Sequence, residues 1–150
     1  MLLNSSNQKI HYFFIDYNQE TKHAEDNNGL TQSNYLEAAA TYFRDKNNIF
    51  RKKTDAVYVI ITKSDEIKGN DRMEIAKSFL QENFGSFMEV LKNQCKANSV
   101  DFKVKLFSIG DVYFKKICKI NRSYADDIIQ DLLKRVKPSS KSIFKKFLNS

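Results

Sequence analysis

Residues 56 to 61 read AVYVII, a run without a charged side chain. A strand with one wet face alternates apolar and polar residues, so an unbroken run of this kind belongs to a strand covered on both faces, as in a parallel sheet. Parallel strands cannot be joined by tight turns; each pair needs a long crossover, commonly a helix. A second such run, IHYFFI, occupies residues 10 to 15, and a third strand signal lies at residues 101 to 107, DFKVKLF. There Phe102, Val104 and Leu106 alternate with Lys103 and Lys105, so one face is covered and the other partly wet, as suits an edge strand.

Helical patterns fill the intervals. Residues 32 to 46, QSNYLEAAATYFRDK, are rich in good helix formers and follow a Thr31 cap. Asn70 or Asp71 opens a second helix with Met73, Ala76, Phe79 and Leu80 on one face, which breaks at Gly85. Ser86 and Glu89 have capping-box spacing and restart a helix to about Asn98. A last helix opens at Ser123 with Asp126 in its first turn and Ile128, Ile129, Leu132, Leu133 and Val136 facing inward, and it ends before Pro138. Tyr35, Tyr42, Phe43, Phe84 and Phe87 are assigned to the helix core. Right-handed crossovers then predict a three-layer α/β/α domain with a three-stranded parallel sheet in the order 1-2-3. The first two helical layers lie on one side and the last helix on the other.

A chain of 150 residues with 41% hydrophobic and 13% aromatic content suits one globular domain, expected over residues 1–137. Cys95 and Cys118 have no CxxC or Cys/His cluster around them, so both read as small core hydrophobes in a reducing compartment. No run approaches the roughly 18 apolar residues of a membrane span, and the expected location is the cytoplasm. His11 and His23 lack the partners of a metal or acid/base site, and the loop with Glu20, Glu25 and Asp26 reads as surface. No catalytic and no metal-binding residue is assigned.

The net charge of +7 is local: residues 134–150 hold six bases and no acid, leaving 19 bases against 18 acids in residues 1–133. Residues 138–150 form a basic amphipathic tail, with Ile143, Phe144, Phe147 and Leu148 between lysines. It suits an anionic partner, membrane or nucleic acid, or a short helix packed back on the domain.

In a parallel sheet the carboxyl ends of the strands share one rim, where ligands bind. Here that rim holds Asp16, Thr62-Lys63-Ser64-Asp65 and Ser108-Ile109-Gly110. The tetrapeptide resembles the Asn/Thr-Lys-x-Asp guanine-recognition motif of P-loop GTPases, and Ser108-Ile109-Gly110 sits where that family has a Ser-Ala-Lys loop. Over roughly residues 10 to 136 the chain resembles the C-terminal half of such a domain. Guanine presents an N–H and an adjacent amino group, two donors that one carboxylate can accept side by side, and Asp65 is the candidate. The resemblance implies that the Lys63 stem covers a ring face, that Thr62 ties the loop to neighbouring backbone, and that an N–H near Ser108 or Ile109 meets the base carbonyl. Ile109 and Gly110 depart from the family pattern.

The larger departure is the phosphate loop, G-x-x-x-x-G-K-S/T, which none of Gly29, Gly69, Gly85 and Gly110 begins. The resemblance therefore implies an incomplete or degenerate GTPase-like domain that binds GTP or GDP within a longer protein, with no cofactor and no hydrolysis expected of this chain alone. Residues 10 to 15 form an apolar edge without lysine or proline. The expected partner is a strand from an upstream part of the same protein or from another subunit, including a homodimer through that edge. Two other readings stay open: a non-catalytic interaction scaffold using that edge and the basic tail, and a nucleic-acid or membrane binder working through residues 134–150. Asp65 as the cap of a solvated turn is the plain alternative to base recognition.

Overall fold

The computed structural model describes residues 8–18, 24–45, 54–113 and 116–135. Its elements run β1 (Lys9–Asp16), α1 (Gln32–Asp45), β2 (Thr54–Thr62), a 3-10 turn (Ser64–Glu66), α2 (Arg72–Ala97), β3 (Asp101–Leu106), β4 (Gly110–Tyr113), β5 (Lys116–Ile120) and α3 (Ser123–Arg135). β1, β2 and β3 form one parallel sheet in that order, as the crossover rule predicts. Val57 is level with His11 on one side and Phe102 on the other. His23 and residues 138–150 lie outside the described residues.

β2 is the centre of the molecule: both its faces are covered, and residues 56–61 are 0–1% exposed. Val57, Val59 and Ile61 join Ile15, Ala40, Phe43 and the α2 residues Ala76, Leu80, Phe87 and Leu91 in the main core. Ala56, Tyr58 and Ile60 point the other way, toward Ile10, Tyr12 and Ile128. α1 and α2 thus cover one face and α3 the other. Cys95 belongs to the main core, where burial, aided by the Asp101 charge, pushes its thiol up to about 11. Phe43, Phe84 and Phe87 are core residues, but Tyr35 and Tyr42 are exposed. Tyr35 instead sends its hydroxyl to Asp26 at 2.5 Å across the loop that precedes α1.

The helix starts are made by side chains. Thr31 donates its N–H to Asn34 Oδ1 at 2.8 Å and accepts the Asn34 N–H at 3.4 Å, a reciprocal cap for α1. Asp71 caps α2 by accepting the Glu74 N–H at 3.0 Å. The predicted break at Gly85 is a kink centred one residue earlier, where Phe84 leaves helical geometry at φ −133°, ψ 28°. α2 is thus two helical segments meeting at that kink, the second running on to Ala97, close to the expected end at Asn98.

The residues predicted to bury α3 are a correction. Ile128 meets the sheet, but Ile129, Leu132 and Leu133 are 50%, 39% and 44% exposed, and Val136 lies outside the described residues. The face turned to the sheet is polar because the β3 side chains it meets are lysines. Lys105 is 8% exposed and bonds Asp127 at 2.6 Å and Asp131 at 3.0 Å; Lys103 bonds Asp131 at 3.0 Å. Of these lysines, expected on a partly wet face, Lys105 is covered by α3, while the Lys103 side chain stays 39% exposed. The hairpin β4–β5 was not foreseen: its strands are short, and no two-residue Asn-Gly or Asp-Gly turn marks it.

At the free edge, Gln32 acts as a clip. The Asp16 N–H donates to Gln32 Oε1 at 2.7 Å, and Gln32 Nε2 donates to the Asp16 carbonyl at 3.2 Å. Alternate residues of a strand present their backbone groups to the same side. The N–H and carbonyl groups of Ile10, Tyr12 and Phe14 therefore face outward like those of Asp16. Among the described residues they have no partner.

Candidate functional site

The carboxyl ends of β1, β2 and β3 meet at one rim, and the backbone joins the loops that leave it. Phe107 N–H donates to the Ile61 carbonyl at 2.8 Å, continuing the sheet one residue past β3. Ser64 N–H then donates to the Phe107 carbonyl at 3.2 Å. β2 ends at Thr62, whose hydroxyl donates to the Ile15 carbonyl at 3.3 Å and ties the loop to neighbouring backbone as expected. Lys63 adopts a left-handed conformation, φ 54°, that turns the chain into the 3-10 segment. Its ammonium reaches back to Asp16 Oδ2 at 2.8 Å.

Asp65 and Ser108 are in direct contact. Ser108 Oγ lies 2.6 Å from Asp65 Oδ1 and 3.0 Å from the Gly110 carbonyl, and it accepts the Gly110 N–H at 3.1 Å. A hydroxyl has one proton to give, and the shorter bond to a charged acceptor takes it. Ser108 is therefore a buried hub that joins the Asp65 loop to the start of β4. Asp65 itself is half-buried, and among the described residues Ser108 is its only hydrogen-bond partner. A carboxylate has four lone-pair positions, so the remaining ones are open to donors from outside.

Ile109 is 51% exposed, and its carbonyl accepts the Asn121 N–H at 3.1 Å. Its own N–H has no partner among the described residues. Gly110 has φ +140°, and a Cβ there would sit 2.0 Å from the Lys119 carbonyl oxygen. The hairpin thus occupies the space that any side chain at this position would need. Ser64 lies beneath the rim, fully buried, with no hydrogen-bond partner for its hydroxyl among the described residues.

The five predicted site residues, Thr62, Lys63, Asp65, Ser108 and Ile109, thus lie on two loops bonded to each other. Thr62 and Lys63 are engaged with β1, while Asp65 and the Ile109 N–H keep hydrogen-bonding capacity toward solvent. The Asp16–Lys63 pair was missed, although a lysine next to a strand end and an acid at the neighbouring strand end are legible signals. His11, read as a satisfied residue, has Nε2 3.2 Å from Thr54 Oγ1; burial and the nearby Lys9 charge lower its pKa. Among the described residues no group of three or more His, Cys, Asp or Glu could hold a metal, and no helix is long and apolar enough to cross a membrane.

No protein-family model matches the chain, and neither a curated protein nor a solved structure matches it.

Proposed function

We propose that the rim is the base-recognition side of a guanine-nucleotide site in a GTPase-like protein, with the phosphate-gripping part supplied from outside this chain. The observation that carries this reading is the 2.6 Å bond from Ser108 to Asp65, which fixes the carboxylate between two loops and leaves acceptor positions open. A fixed carboxylate accepts the paired N–H donors of guanine without first ordering itself; adenine offers no such pair and leaves it unsatisfied. The Ile109 N–H supplies the complementary donor for the base carbonyl. GTP or GDP is the implied ligand of the assembled protein.

Titrating the labelled protein with guanosine and with adenosine, followed by amide shifts, tests this directly. Guanosine is expected to move residues 62–66 and 108–110 and adenosine to leave them in place. Asp65→Asn is expected to shift preference toward xanthosine, whose carbonyl replaces the amino group. Equal responses to the two nucleosides, or an unchanged preference in the variant, return Asp65 to the role of a turn residue.

A second reading, an interaction scaffold, is favoured by β1. Phe14 is 61% exposed on an edge strand whose outward backbone groups at Ile10, Tyr12 and Phe14 are unpaired among the described residues. We infer that an added strand, from an upstream part of the same protein or another subunit, completes the sheet there. Phe14→Lys is expected to abolish binding of such a strand while leaving the thermal midpoint within a few degrees. Retained binding in this variant excludes the edge.

A further inference from the structure

β3 is the second edge of the sheet, and its lysines guard one side of it only. Lys103 and Lys105 turn toward α3, while Phe102, Val104 and Leu106 lie on the α2 side against the main core. The Phe107 N–H reaches Ile61 in β2, so by alternation the N–H and carbonyl groups of Phe102, Val104 and Leu106 point away from the sheet. Among the described residues they have no hydrogen-bond partner. Beside this edge is a groove of about 500 Å³, lined by β3 and by both segments of α2. Leu80, Met88, Phe102 and Val104 give it an apolar floor, and the exposed Lys77 and Lys92 stand at its rim. None of its described lining residues is acidic. Lys77 is bonded to Glu74 at 2.5 Å, but Lys92 has no ion pair among the described residues.

We propose that this edge takes an extended peptide as a fourth strand, one whose groove-facing row is apolar in the middle and acidic at both ends. The backbone beside the groove selects a peptide. Its outward N–H and carbonyl groups are satisfied in series by another main chain, which neither a fatty acid nor a docked helix can supply. The lysines select the charge. Lys77 and Lys92 are separated by about 22 Å of helix axis, a little less across the kink, and four same-side residues of a strand span about 20 Å. Two apolar residues between two acids therefore fit the row, and an acid on the opposite side of the strand meets the half-exposed Lys103. Residues 136–150 carry bases and no acid, and β3 of a second copy would bring lysines to lysines, so neither complements this rim. The surface is separate from the carboxyl-end rim and from the β1 edge.

Fluorescence anisotropy of a labelled peptide, Glu-Thr-Val-Glu-Val-Thr-Glu, tests the proposal on the full chain. The probe reads the same in both directions, so it favours neither strand orientation. It is expected to bind and to shift the amides of Phe102, Val104 and Leu106, and Lys92→Glu, a change at an exposed helix position, is expected to weaken it about tenfold. A peptide with Lys in place of each Glu is expected not to bind. Only one alternate set of peptide amides can face β3, so N-methylation of that set is expected to abolish binding and of the other set to leave it. Octanoate, with a carboxylate and an apolar chain but no peptide groups, is expected to compete at least tenfold more weakly than unlabelled peptide. No binding at about 1 mM peptide, equal effects of the two methylations, or indifference to Lys92→Glu overturns the proposal. So does equal competition by octanoate, which makes the groove a small-carboxylate site, or a shift confined to Ile10, Tyr12 and Phe14, which puts the peptide on the other edge.

Discussion

At the scale of single residues, the rim depends on one hydroxyl and one missing side chain. Ser108→Ala deprives Asp65 of its donor and Gly110 of its acceptor, and a loss of about 1–3 kcal/mol is expected in urea denaturation. Gly110→Ala must relieve a backbone clash and a positive φ together, and about 3 kcal/mol is expected from the same measurement. The sequence showed which residues gather here because a motif after a buried strand and a serine one crossover later are one-dimensional signals. It could not show that Ser108 spends its proton on Asp65, since that depends on how closely two loops approach. Gly110 is legible only as an unusual residue; the carbonyl that forbids any other belongs to Lys119, on the far side of a hairpin.

At the scale of elements, α3 is the instructive case. Its apolar spacing was legible and its facing was not, because apolar residues mark a face without saying which way it turns. Opposite-signed pairs, Lys103 and Lys105 at strand spacing and Asp127 and Asp131 at helix spacing, carried that information. Hydrogen bonds from Lys105 and then Lys103 hold the Asp131 carboxyl below its ordinary value of 3.8. A depressed carboxylate contributes stability that is present above the unfolded value and is lost as pH falls through the folded one. Burial opposes the Lys105 charge, but its bonds to Asp127 and Asp131 outweigh this and raise its pKa above 10.5, so its contribution is lost only above that. Hydrogen exchange of α3 amides, corrected for intrinsic rates, is therefore expected to show protection that is constant near neutrality and falls below about pH 3.8. The change should be smaller in Asp131→Asn, which starts with the weaker contact.

At the scale of the whole molecule, the sheet order followed from handedness once three strands and their crossovers were recognised. The central strand was legible because burial on two faces removes polar residues from both. With residues 56–61 almost wholly buried, β2 amides are expected to exchange most slowly of all, and faster exchange there than in β1 would contradict this layering. The helix break was legible to within one residue from Gly85, whereas the hairpin was not, since its short strands carry no turn signal. The Gln32 amide at Asp16 has a consequence for assembly. A side-chain amide has the same donor and acceptor as a peptide unit, so it stands in for the last rung of a neighbouring strand. Any strand added to β1 is thus stopped short of the rim, with only the three rungs at Ile10, Tyr12 and Phe14 left to climb. The sheet can grow sideways without growing over the loops that hold Asp65.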